Sequence, residues 1–361
     1  MSRSLAGAEA TLMSQSVIHL IGPAGSCRPF FKRIDVKTAG ELIGLVQDAV
    51  GSNYRVTGDE AIINADEDEL HGGRTDDQQR ADEITQALSD SQVAAIIMLR
   101  GGAWFTRILP RIDFQVLDQR NTKIAVFGFS ELTTLVNIVG EHASGLGIYD
   151  LGPAFLAYGL RHYASTRATD EQLGGLSPRE WAKRELPVRF GEFFKTCIAL
   201  IEGRESPPPI TATLARGDLP DRFDATFVGG NLTALSPMIG SMFESSIAPE
   251  GRWLLLEDYN DKLERLDRYL AHLTLANYWD RCEGVLLGDF HLEDRDLTPA
   301  ILNMLEYHLQ KRSTPPILTT HEIGHVWPMT PLPLHVPACV QRTDGNRFTI
   351  TWPSCAVQTV V

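Results

Sequence analysis

Short apolar runs, each ending in a glycine-bearing turn and separated by helix-patterned segments, constrain this chain more than any other feature. Val17–Ile21 runs into Gly22-Pro23-Ala24-Gly25-Ser26, Val93–Leu99 into Arg100-Gly101-Gly102, and Ile124–Phe127 into Gly128. Between them Ala39, Ile43, Val46 and Val50 fall at helical spacing, as do Ala81, Ile84 and Leu88. Continuous apolar runs of this kind suit strands covered on both faces. Alternation with helices predicts a parallel sheet carrying helices on both sides.

Residues 166–210 break that rhythm. They hold Gly174-Gly175, a charged amphipathic segment from Glu180 to Arg189, and the stiff, extended run Ser206-Pro207-Pro208-Pro209. The reading is an N-terminal Rossmann-like α/β domain over 1–165, a linker over 166–210, and a smaller mixed α/β domain over 211–361. In the last, short strands are expected near Phe227, at Leu254–Leu256 and at Val285–Phe290. Leu263, Leu266, Leu270 and Leu273 give one helix an apolar face. The first fifteen or so residues read as an extension.

Charge and cysteine usage narrow the function. A formal net charge of −13 argues against nucleic acid or an anionic membrane surface as a partner. Cys27, Cys197, Cys282, Cys339 and Cys355 are scattered and include no Cys-x-x-Cys pair, so neither a disulfide framework nor a zinc site is indicated. No metal or organic cofactor is expected. Val17–Ile21 is too short for a signal segment or a membrane span, so the expected location is cytoplasmic.

Candidate chemistry sits where strands meet turns. Leu254-Leu255-Leu256 ends in Glu257-Asp258, and Gly324-His325 lies between Ile317-Leu318 and a Pro-rich segment. Taken singly, Glu257 is equally a solvated strand-end acid, and His321 is an equal claimant beside His325. Several motifs recur in one order: Gly22-Pro23-Ala24, then Gly73-Arg74-Thr75-Asp76 with Arg80-Ala81, then Arg100-Gly101-Gly102. After these come Phe127-Gly128-Phe129-Ser130-Glu131-Leu132-Thr133, Gly229-Gly230-Asn231-Leu232, Glu257-Asp258, Gly288-Asp289-Phe290, Gly324-His325, and Pro331 with Pro333. In this order they resemble the LD-carboxypeptidases, a serine-peptidase family that also includes the microcin C immunity proteins. The resemblance spans roughly Val17 to Pro337.

The resemblance implies a cleft between two domains. A serine nucleophile would sit on a strand-to-helix turn of the first, with Glu257 and His325 supplied by the second. A serine hydroxyl is a poor nucleophile at neutral pH; the histidine takes its proton, and the carboxylate orients the ring and stabilises the imidazolium. Gly102 and Ala103 would hold the oxyanion, with Ser130 and Asn231 at the substrate.

The family pattern Arg-Gly-Gly-aromatic-Gly, small residues including the serine, then Arg-Leu-Leu, meets Arg100-Gly101-Gly102-Ala103-Trp104-Phe105-Thr106-Arg107-Ile108-Leu109 here. The serine's place falls on Phe105 or Thr106. Phenylalanine cannot attack a carbonyl. Threonine carries a hydroxyl, but a β-branched side chain suits the strained dihedrals of such a turn badly. Two readings stand: Thr106 as an unusual nucleophile, or a binding homologue that has lost catalysis. Ser130 is the nearest alternative hydroxyl, although capping the helix begun by Leu132 and Leu135 competes with that role. Trp104 and Phe105 suit packing at the domain interface or stacking on a ligand.

The implied substrate carries an amide bond to a C-terminal D-amino acid, as in murein tetrapeptides, or the amide-type bond of an aminoacyl nucleotide. The resemblance also allows a homodimer.

Overall fold

The computed structural model describes residues 15–166, 168–293, 295–309 and 315–353. The expected N-terminal extension and Cys355 lie outside the described residues. Strands β1 (Val17–Ile21), β2 (Arg55–Gly58), β3 (Val93–Met98), β4 (Ile124–Gly128) and β5 (Gly145–Tyr149) pair in parallel in the order β5-β4-β3-β1-β2. The alternating pleat gives this sheet two cores. Ile96 and Met98 of β3 join Ala81, Ile84 and Leu88 of helix Asp77–Ser89 on one face. Ala95 and Ile97, with Leu99 just beyond the strand, join Leu42 and Val46 of helix Ala39–Val50 on the other. The expected Rossmann-like arrangement is present.

The second half contributes β6 (Ile210–Arg216), β7 (Arg222–Asn231), β8 (Trp253–Tyr259), β9 (Gly284–Leu292), β10 (Arg295–Asp296), β11 (Ile317–Thr319), β12 (Leu332–Pro333), β13 (Pro337–Asp344) and β14 (Arg347–Thr351). Its mixed sheet runs β10-β9-β11-β6-β14-β13-β7-β8, and β8 also pairs in parallel with β9. The sheet therefore closes on itself, which leaves few free edges.

The halves are joined by more than a covalent link. Strand β12 leaves the second half and adds antiparallel to β5, with Leu332 opposite Tyr149. Asn137 donates to the Gly229 carbonyl at 2.8 Å, and Asn231 N–H donates to Thr133 Oγ1 at 3.0 Å.

The linker reading of 166–210 is corrected. Most of it is helical, and helix Pro178–Ile201 buries Phe190, Phe194, Cys197 and Ile198 in the core that holds Ile97 and Leu99. Its start carries a capping box, in which Ser177 and Glu180 satisfy each other's backbone N–H groups. The Pro-rich run ahead of β6 lies outside the helices. Among the described residues, Cys27, Cys197, Cys282 and Cys339 are free thiols. No described helix is long and apolar enough to cross a membrane.

Candidate active site

Both sheets deliver the carboxyl ends of their parallel strands to one place, where an open α/β sheet characteristically binds ligands. There β3 ends toward Gly101-Gly102, β4 at Phe129-Ser130 and β5 at Tyr149-Asp150; β8 brings Glu257-Asp258 and β9 brings Asp289.

Glu257 is fully buried, and both of its oxygens are engaged. Oε2 lies 2.8 Å from His325 Nδ1, and Oε1 accepts from the Tyr149 hydroxyl at 2.6 Å. Burial and the adjacent carboxylate push the Tyr149 phenol well above its ordinary range, so it remains a neutral donor. The loop reaches the acid through Gly324 at φ +123, where an added Cβ would stand 3.1 Å from Glu257 Oε2. His321 is not part of this pair: its side chain is 67% exposed, and its Nδ1 stands 3.5 Å from Asp289.

Three aromatic rings wall the imidazole. Phe129, Phe155 and Tyr259 have centroids 4.8, 5.3 and 4.9 Å from it, and Tyr259 is stacked on it. Beyond them a small recess is lined by Tyr158, Tyr163, Trp327, Asp289, His291 and Glu293, among others. Asp258, next to the acid, accepts from Thr233 N–H and hydroxyl at 2.9 and 2.8 Å. Burial and the charge of Glu257 push its carboxyl up to about 7.

The turn after β3 departs from the expectation for Thr106. The Thr106 hydroxyl donates to Glu131 Oε1 at 2.9 Å, and its N–H donates to the same atom at 3.0 Å. It is not hydrogen-bonded to His325. Phe105, the other residue expected at the serine's place, is fully buried in the core with Ile108 and Leu109. The two residues therefore act as a core anchor and a hydrogen-bond partner for the half-buried Glu131.

Trp104 shows why a small residue suits the place before them. Its φ is +75, in the left-handed region that a side chain occupies at a cost of about 1–2 kcal/mol. The indole lies against Gly73, where a Cβ would come within 2.3 Å of it, and the Arg107 guanidinium sits 5.2 Å from its ring centroid. Buried Arg80 donates to the Trp104 carbonyl at 2.9 Å, and Trp104 Nε1 donates to Glu67 at 3.2 Å. Packing against the Gly73 turn, rather than the domain interface or a ligand, accounts for this residue.

Gly102 and Ala103 are exposed at the end of this turn, with Gly102 at φ +120. Asn231 lies at the same end of the sheet but uses Oδ1 to cap helix Leu232–Leu235 through the Ala234 N–H at 3.1 Å. Ser130 does not cap its helix; no side-chain cap bond starts either helical segment there. Sequence reasoning missed Tyr149, Phe129, Phe155 and Tyr259, because aromatics ending apolar strands or on helix faces read as core. For Tyr149, its place at the end of Gly145–Tyr149 was the available signal. Among the described residues no group of three or more His, Cys, Asp or Glu could hold a metal ion.

A two-domain α/β protein with a buried carboxylate–imidazole pair at the junction of its sheets has the architecture of a peptidase that shuttles protons through a histidine. Residues 18–149 match the LD-carboxypeptidase N-terminal domain and residues 224–340 the LD-carboxypeptidase C-terminal domain. The chain belongs to the LD-carboxypeptidase family of hydrolases. It is 25% identical over 271 residues to the probable murein peptide carboxypeptidase of Bacillus subtilis, covering 74% of this chain and 75% of that one. It is 26% identical over 213 residues to the murein tetrapeptide carboxypeptidase of Pseudomonas aeruginosa, covering 59% and 61%. In fold it is similar to the muramoyltetrapeptide carboxypeptidase of Oxalobacter formigenes, with a TM-score of 0.60 at 19% identity over 93% and 98% of the chains. It is also similar to the microcin C7 self immunity protein MccF, at 0.62 and 16% over 93% and 96%, in a structure holding aspartyl sulfamoyl adenosine.

Proposed function

We propose that this protein hydrolyses the amide bond joining a C-terminal D-amino acid to an L-centre in a small murein-type peptide, in the cytoplasm. The observation that carries the reading is the Glu257–His325 pair, with an acid that is 0% exposed and held on its other oxygen by Tyr149. With Nδ1–H directed to the carboxylate, Nε2 is the basic atom. It takes the proton of the attacking group and returns it to the leaving amine, while Glu257 stabilises the imidazolium. Backbone N–H groups at Gly102 and Ala103 supply the oxyanion donors. No metal or organic cofactor enters this reading.

Two specific observations favour other readings. The rings of Tyr158, Tyr163 and Trp327 along the recess suit the base of an aminoacyl nucleotide as the alternative substrate. The burial of Phe105 and the diversion of Thr106 to Glu131 favour a homologue that binds without cleaving.

The test incubates the protein with a murein tetrapeptide ending in D-alanine and, separately, with an aminoacyl-sulfamoyl adenosine, with products followed by mass spectrometry. Release of D-alanine is the expected result. Cleavage of the nucleoside substrate alone selects the second substrate class, and saturable binding of either one without cleavage selects the non-catalytic reading.

A further inference from the structure

We propose that a groove between helices Arg28–Ile34, Pro153–Thr166 and Pro178–Ile201 binds a small oligophosphate, apart from the catalytic recess. The inference goes beyond the hydrolase reading and does not depend on it. Lys32, Arg33, Arg161, Arg179 and Lys183 line the groove, and Asp35 is the one acid in its wall. In a chain of net charge −13, a lining so biased toward cations is the reverse of the average surface. Helix Pro153–Thr166 divides the two cavities. Ala157 and Arg161 face the groove, whereas Phe155, Gly159 and His162 face the recess beside His325.

Helical spacing gathers these charges. Arg179 and Lys183 stand four residues apart in the first turns of helix Pro178–Ile201, so both present to the same side. Like charges at that spacing destabilise a helix unless something neutralises them. The acids of that helix are engaged elsewhere. Ser177 donates its N–H and hydroxyl to Glu180, and Glu185 pairs with Arg184 and Arg189. Among the described residues, no ion pair holds Lys32, Arg33, Arg161, Arg179 or Lys183. Arg33 is pinned in place, its guanidinium carbon 5.5 Å from the Tyr158 ring centroid. Burial and the like charges of Arg100 and Arg161 hold it below its ordinary range.

Cations drawn from three helices call for a ligand with several negative charges. A guanidinium fork matches two oxygens of one phosphate, and the ammonium groups add point charges around it. A single carboxylate would leave most of the cations without a partner. The first turns of helix Pro178–Ile201 add the positive end of its dipole. Tyr158 connects groove and recess. Arg33 lies over its ring, and its hydroxyl is bonded to that of Tyr259, which stacks on His325. The ligand is thus a free oligophosphate or the phosphate end of a substrate reaching past Tyr158.

Isothermal titration of the full chain with sodium pyrophosphate, at fixed ionic strength, tests the site. The parent should bind it saturably. Arg161→Gln combined with Lys183→Gln alters two exposed side chains, so folding should survive, and binding should weaken at least about 10-fold. Lys123→Gln combined with Arg268→Gln removes the same charge elsewhere on the surface, and should change binding by less than about 2-fold. No saturable binding by the parent, no weakening in the groove variant, or equal weakening in both variants overturns the proposal. Turnover separates the two sources of phosphate. A KM at least about 10-fold higher in the groove variant, for a murein tetrapeptide carrying a remote diphosphate but not for the plain peptide, assigns the phosphate to the substrate. Unchanged KM for both peptides assigns it to a free anion. The titration is read without turnover, so an inactive parent would remove the hydrolase reading and leave the groove to its own result.

Discussion

At Glu257, position and partners define a single task. The carboxylate has no solvent, one oxygen serves His325 Nδ1, and the other is closed by Tyr149. Glu257→Gln keeps the shape but presents an amide to the ring; turnover should fall on the order of 10³–10⁴-fold, read as kcat on the cleaved peptide. Tyr149→Phe strips a donor from a buried acceptor and should lower stability by about 1–3 kcal/mol, measured by denaturant unfolding. Asp150, at the end of β5, gives a pH signature. Burial pushes its carboxyl from 3.8 up to about 8, so between about pH 4 and 8 the folded protein holds a proton that the unfolded chain has lost. Stability from this group is complete below pH 4 and is lost as pH rises through 8. Asp258, raised to about 7, acts with the same sign over a narrower window. Melting temperature should therefore fall less steeply from pH 4 to 8 in Asp150→Asn than in the parent.

Among the elements, the strands and their turns were the most legible in the sequence. Each apolar run ending in glycine is a strand, because burial on both faces leaves no polar alternation to obscure it. Helix Pro178–Ile201 was not legible. Pro187 within it and a charged surface concealed its apolar residues, although Ser177 and Glu180 carried a start signal that went unused. The two-residue β12 was beyond reach, since its pairing with β5 is fixed by tertiary contacts rather than by any local run. Glu257 and His325 could be placed because a strand end and a glycine turn mark them. The destination of Thr106 could not, because it depends on Glu131 from the neighbouring turn. The turn after β3 can be probed through its support. Gly73→Ala would drive a Cβ to within 2.3 Å of the Trp104 ring at a φ of +81, and should cost roughly 1–3 kcal/mol, seen as a lower melting temperature.

For the whole molecule, the site exists because a Rossmann-like sheet and a closed mixed sheet share one junction. The first brings Ser130, Tyr149 and the Gly102 turn; the second brings Glu257 and His325, and β12 binds the two halves together. The claim that this junction is a histidine-driven hydrolytic centre is tested most directly by D-alanine release from a murein tetrapeptide, comparing the parent with His325→Ala at matched concentration and confirmed folding. The account predicts steady release by the parent and a loss of at least about 10³-fold in the variant. Equal release by both, or none by the parent, would contradict it.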